Sequence, residues 1–196
     1  SVSLIENDNT VVIDTSTAHR TDPDWAYGLP ELSGKHKEKI LNSKRIAVPG
    51  CHASGFISLV YPLIESGLLS TDVKLTCHSI TGYSGGGKKM IADYEAEEQA
   101  FLLGAPRQYG LAQQHKHLKE MVALCNLETS PVFCPIVADF YSGMAVSVPI
   151  FAKNLCNGKG IRDIIDVYKA SYNSDFVKYT ENLGDDAMFC AETMSG

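Results

Sequence analysis

The chain has 196 residues, of which 44% are hydrophobic and 20% charged, and carries a formal net charge of -6. That acidic balance argues against nucleic-acid binding, which calls for a basic surface, and no apolar run reaches the ~18 residues that a membrane-spanning helix needs. The six cysteines, at 51, 77, 125, 134, 156 and 190, form no CxxC pair; they read as free thiols of a reducing compartment, with the cytoplasm as the expected location.

In chain order, Ser1–Ile5 reads as the end of a helix and runs, without an initiator Met, into a strand over 10–14. The polar cluster Asp14-Thr15-Ser16-Thr17-Ala18-His19-Arg20 follows that strand, where α/β folds place ligand loops; a simple capping turn explains it equally well. Residues 15–30 are rich in turn formers, 34–43 predict a Lys-rich helix, and Arg45-Ile46-Ala47-Val48 a short buried strand. The spacing of Phe56, Leu59, Val60, Leu63 and Ile64 predicts a helix over 52–67 with Gly67 as its C-cap. A strand over 73–80, a glycine loop over 81–87, helical residues over 88–100, a loop over 109–114 and a short helix over 117–125 follow. Strands at 132–140 and 144–151 and a helix at 161–172 complete the pattern. Met194-Ser195-Gly196 closes no element, so the chain reads as an internal piece of a longer protein. Helices and strands interleave and the strands then cluster, which makes the class α+β.

Cys51 is the first candidate for chemistry. It follows Pro49-Gly50 at a strand-to-helix turn, where the positive helix end favours an anion and hence a nucleophilic thiolate; the alternative is a small buried hydrophobe. Such a nucleophile calls for an acid–base partner. His52 is expected to point elsewhere on the helix, and His78 reads as a core residue. His115-Lys116-His117 at a helix start is the stronger partner site, and Glu120, three residues after His117, is placed to orient an imidazole; a solvated, charged helix end is the plainer reading. No carboxylate or cysteine spacing completes a ligand set around these histidines, so no metal is expected. In Thr81-Gly82-Tyr83-Ser84-Gly85-Gly86-Gly87-Lys88 the glycines permit close approach to a ligand and Lys88 could pair with phosphate, although P-loop spacing is absent.

Together, Val12 to Arg20, Tyr27-Gly28-Leu29-Pro30-Glu31-Leu32, Val48-Pro49-Gly50-Cys51, Ser84 to Lys88 and Tyr109 through Glu120 resemble the N-acetyl-gamma-glutamyl-phosphate reductase family, in its short form. The likeness runs in family order to about residue 150. It implies a glyceraldehyde-phosphate-dehydrogenase-like catalytic domain with a mixed or antiparallel sheet, preceded by the tail of a Rossmann-type nucleotide-binding domain. The implied division is 1–48 for the NADP-binding part and 49–196 for the catalytic and oligomerisation domain, incomplete at its C-terminus. By the same resemblance Cys51 is the nucleophile and His115 the acid–base catalyst. Tyr109, His117, Glu120, Lys88 and Arg20 surround the substrate; Ser16, Thr81 and Gly82 face the cofactor. Thr81 stands where the family has Ser.

The implied reaction is NADPH-dependent reduction of N-acetyl-glutamyl 5-phosphate through a Cys51 thioester, in a homo-oligomer, dimer or tetramer, acting on a small molecule. Neither the family's glycine-rich cofactor turn before residue 10 nor its closing helix is present, so the chain alone is expected to bind NADPH poorly. Three alternatives stand beside this reading: a related aspartate or lysine-pathway semialdehyde dehydrogenase, a cofactor-independent Cys–His hydrolase, and a non-enzymatic assembly domain that uses a sheet built from the strands at 132–140 and 144–151.

Overall fold

A computed structural model describes residues 9–181 together with 2, 5, 7, 190 and 191. The readings of 194–196, and all but Val2 and Ile5 of 1–5, lie outside these residues. Three short parallel strands form the first sheet, in the order β1 (Val12–Asp14), β3 (Arg45–Ala47), β2 (Ala26–Tyr27). Helix α1 (Gly34–Asn42) links β2 to β3, and its start is capped by Ser33, whose Oγ accepts from the His36 N–H. The strand expected to be buried over 45–48 has only Ala47 buried, because one side of this three-stranded layer is uncovered: Arg45 and Ile13 are exposed.

Helix α2 (Cys51–Glu65) leaves directly from the end of the sheet and carries the centre of the core. Phe56, Ile57, Val60 and Leu63 are fully buried, each stabilising the fold by ~1.5–3 kcal/mol. Pro62 lies inside this helix and has no N–H to give to the carbonyl four residues earlier. The fold answers from α5 (Ile161–Ser171) and the residue after it. Tyr172 Oη donates to the freed Ser58 carbonyl at 2.7 Å, and Tyr168 Oη donates to the next carbonyl, Leu59, at 2.6 Å. Gly67, at φ +72°, ends the helix where a left-handed residue is required.

The second sheet is mixed, in the order β5 (Arg107–Gln108), β6 (Val132–Ala138), β4 (Thr76–Gly82), β7 (Met144–Ser147). β4 pairs in parallel with β6 and antiparallel with β7, while β5 runs antiparallel to β6. The two clustered strands thus do not pair with each other; β4 lies between them. Along β4, Cys77, Ser79 and Thr81 face the core while Thr76, His78 and Ile80 face outward. His78 is therefore not a core residue: strand alternation puts it on the exposed face. The inner face packs on α2 and α4 (Leu118–Cys125) through Phe56, Met121, Cys125 and Phe133.

The helix expected over 88–100 stops at Tyr94, as α3 (Lys88–Tyr94). Only Tyr94 is buried there, so the charged residues that follow have no packing to hold a helix. A parallel first layer, a mixed second sheet and helices on one side of it make the α+β class expected from the sequence. Among the described residues no helix is long and apolar enough to cross a membrane.

Candidate active site

β3 hands the chain through Val48-Pro49-Gly50 to Cys51, the first residue of α2, and the Cys51 side chain is exposed. It opens on a cleft of about 390 Å³ whose walls include Arg20, His52, Tyr109, His115 and His117. The turn has little freedom. The Gly50 N–H donates to Glu120 Oε2 at 2.8 Å, and a Cβ at position 50 would collide with the His117 ring and the Arg20 guanidinium.

Glu120 is the hub behind the cleft. Its carboxylate, 2% exposed, accepts from Arg20 Nη1 at 2.9 Å on Oε1, and from Tyr27 Oη at 3.0 Å and the Gly50 N–H on Oε2. A buried carboxylate is tolerated only when paired and hydrogen-bonded in this way. Its role therefore differs from the expected one. Glu120 makes no hydrogen bond to His117, because three donors from distant segments occupy it. Burial first, then the Glu120 charge, raises the Tyr27 phenol well above its ordinary range.

The segment that brings His115 is pinned to β6. The Tyr109 N–H donates to the Pro135 carbonyl, and the Gln113 side chain clamps both the N–H and the carbonyl of Phe133 at 2.8 Å. Gln113 can hold a left-handed φ of 54° because these bonds fix it. His115 Nδ1 accepts from the His117 N–H at 3.2 Å, so the neutral ring carries its proton on Nε2.

His52, His115 and His117 form one cluster, with ring centroids 4.6–5.7 Å apart. Burial, followed by the neighbouring His115, His52, Arg20 and Lys116, holds the His117 pKa down at about 3. Burial, then His115 and Lys116, lowers His52 to about 4. His115 is lowered as well, by burial and then Lys116, with Glu120 opposing. All three rings are neutral at pH 7. His117 Nδ1 is buried without a hydrogen-bond partner among the described residues.

His52 does not point away from the site. Successive helix residues are about 100° apart, and from position 52 that turn leads inward. Its Nε2 lies 2.7 Å from Tyr109 Oη and its Nδ1 2.6 Å from Ser79 Oγ, with Phe133 against the ring. Sequence reasoning missed this residue, and missed Tyr27, Met90 and Val137, whose apolar character reads as core.

Thr81, Gly82, Gly85 and Gly86 form another part of the cleft wall, where the two glycine-loop residues present bare backbone. Ser16 is exposed, donates to Asp14 Oδ2 at 2.6 Å and does not line the cleft. Lys88 is likewise exposed on α3 and outside it; Lys116 is the lysine on the wall. Arg107 spends its charge on Tyr94, through a 3.0 Å hydrogen bond and a stacked ring.

The sequence matches the model of the family described as semialdehyde dehydrogenase, dimerisation domain, over residues 51–188. Among curated proteins, the chain is 41% identical over 166 residues to N-acetyl-gamma-glutamyl-phosphate reductase of Rhizobium meliloti (strain 1021), covering 84% of the chain and 54% of that protein. It is 46% identical over 152 residues to the same-named protein of Chelativorans sp. (strain BNC1), covering 76% and 48%. The chain thus spans about half the length of the curated relatives it matches. The crystal structure of aspartate semialdehyde dehydrogenase II from Vibrio cholerae superposes with a TM-score of 0.57 at 17% identity, over 82% of this chain and 53% of that one. That of aspartate semialdehyde dehydrogenase with NADP from Candida albicans gives 0.54 at 13% identity, over 83% and 49%. These likenesses establish a shared fold.

Proposed function

We propose that this chain, which belongs to the semialdehyde dehydrogenase dimerisation-domain family, carries the reducing centre of an N-acetyl-gamma-glutamyl-phosphate reductase. The observation that carries the reading is an exposed cysteine at a helix start, sharing one cleft with His115. The Cys51 thiolate attacks the acyl-phosphate carbonyl of N-acetyl-glutamyl 5-phosphate. A C–S bond forms, the bond from that carbon to the phosphate oxygen breaks, and phosphate leaves with the electron pair. The thioester that results accepts hydride more readily than a carboxylate does.

Thr81, Gly82, Gly85 and Gly86 line the same cleft as Cys51, so these residues would hold the nicotinamide end of NADPH. When bound, that cofactor supplies the hydride. His115, neutral with its proton on Nε2, donates a hydrogen bond to the developing alkoxide, which collapses to the aldehyde as the C–S bond breaks and Cys51 leaves as thiolate. Lys116 brings positive charge to the cleft of an acidic protein for an anionic substrate; Arg20 lines the same wall as a substrate contact, its charge balanced by Glu120. Residues 1–48, with their parallel sheet, belong to the nucleotide-binding domain and 49–196 to the catalytic and oligomerisation domain. The assembly is a cytoplasmic homo-oligomer, dimer or tetramer.

The test is NADPH oxidation with the acyl phosphate in the full protein. The wild type should turn over and Cys51→Ser should not. Phosphate release with no NADPH oxidation in the wild type would replace the reductase by a Cys–His hydrolase.

A further inference from the structure

Ser79 is fully buried on β4, and among the described residues its Oγ makes one hydrogen bond, to His52 Nδ1 at 2.6 Å. His52, 3% exposed, holds the Tyr109 hydroxyl with Nε2 at 2.7 Å. A hydroxyl donates or accepts, but a neutral imidazole donates from one nitrogen and accepts at the other. The ring therefore couples the two ends. With the proton on Nδ1, His52 would donate to Ser79, and the Ser79 hydroxyl hydrogen would be buried with no acceptor, at a cost of ~1–3 kcal/mol. With the proton on Nε2, Ser79 donates to Nδ1, Nε2 donates to the Tyr109 oxygen, and the phenol hydrogen is left over. Tyr109 lines the cleft, so that hydrogen has the cleft to turn to.

Two further facts support this direction. Burial keeps His52 neutral at pH 7, so a ring donating at both ends is not populated. Burial, then the charge of Cys51, pushes the Tyr109 phenol up to about 12, so it keeps its proton, and it lines the cleft that Cys51 opens on.

We propose that the bonds run one way, from Ser79 to His52 to Tyr109, and that His52 and Ser79 are positioning residues that aim the Tyr109 hydroxyl into the cleft as a donor to the substrate oxygen that gains charge when Cys51 attacks. Tyr109 Oη–H and His115 Nε2–H then form a pair of donors in one cleft, the arrangement an oxyanion site uses. The catalytic part rests on the reading of Cys51 as nucleophile; the direction of the bonds does not.

Long-range ¹H–¹⁵N correlation NMR of the labelled full protein reads the His52 tautomer directly. The expected result is a proton on Nε2; a proton on Nδ1 overturns the proposal whatever the reaction. Steady-state kinetics test the catalytic part. Tyr109→Phe should lower kcat about 100-fold, and Ser79→Ala about tenfold with KM little changed, roughly half that effect on a free-energy scale. Ser79→Cys, which keeps a donor at that position but a weak one, should fall between wild type and Ser79→Ala. Because Ser79 acts through Tyr109, the double variant should be no slower than Tyr109→Phe alone. Independent, multiplying losses would reduce Ser79 to a packing residue and overturn the proposal. Full turnover by Cys51→Ser alongside an Nε2 proton on His52 would defeat the nucleophile reading and leave the directed hydrogen bonds standing.

Discussion

The Arg20 guanidinium donates from Nη1 to Glu120 Oε1 at 2.9 Å, joining residues 100 positions apart, both buried. With Tyr27 and the Gly50 N–H on the other oxygen, one carboxylate ties the loop after β1, the end of β2 and the turn before Cys51 to the helix that follows His117. The sulfur and the imidazoles are thus held in register through a buried group that does not line the cleft.

Glu120→Gln keeps the volume but leaves Arg20 as an uncompensated buried charge. The variant is predicted to lose about 3 kcal/mol of stability. Urea unfolding followed by circular dichroism measures this, and a loss below about 1 kcal/mol would mean that water compensates Arg20 instead.

Gly50→Ala puts a methyl group into the His117 ring and the Arg20 guanidinium. The expected cost is about 1–3 kcal/mol from overpacking, with a further loss of Cys51-dependent turnover because the turn must shift. Unfolding and activity assays on the same preparation check both; an active variant of wild-type stability would show that the turn has slack.

Much of this arrangement was legible in the sequence. The apolar spacing of residues 56–64 placed α2 and thereby set Cys51 at a helix start, and α1, α4 and α5 fall within a residue or two of their expected bounds. The partners of Glu120 and His52 were not legible, for a physical reason. Local spacing ranks neighbours along one helix, whereas Ser79 and Tyr109 reach His52 from 27 and 57 residues away, and Arg20, Tyr27 and Gly50 reach Glu120 from 70 to 100. Ser16 and Lys88 matched on motif position alone; Ser16, in the turn after β1, and Lys88, at the start of α3, are both exposed.

Pro62 and Tyr172 are predicted to be energetically coupled. Tyr172→Phe leaves the Ser58 carbonyl without a donor, at about 1–3 kcal/mol. Pro62→Ala restores the backbone N–H that can reach Ser58, so Tyr172→Phe should cost distinctly less in that background. A double-mutant cycle by chemical unfolding measures the difference, and strict additivity would show that the two do not share the carbonyl.

The pH dependence follows from the depressed histidines. His52, at about 4, and His117, at about 3, both lie below the ordinary value of 6.5. Between pH 6.5 and those values the unfolded chain binds protons that the folded chain refuses. The stability is therefore fully present above pH 6.5 and falls as pH drops, by up to ~1.4 kcal/mol per pH unit for each ring. His117→Asn should flatten the fall of the urea midpoint between pH 6.5 and 4 relative to wild type. Parallel curves would contradict the neutral assignment of His117.

The central claim is a covalent bond to one sulfur, and mass spectrometry of the intact protein tests it most directly. Mixed with N-acetyl-glutamyl 5-phosphate in the absence of NADPH, the full protein should gain the mass of one acyl group per chain, mapped by digestion to the peptide containing Cys51, and should lose it when NADPH is added. An unmodified Cys51, or the same adduct on a Cys51→Ser variant, would contradict the account.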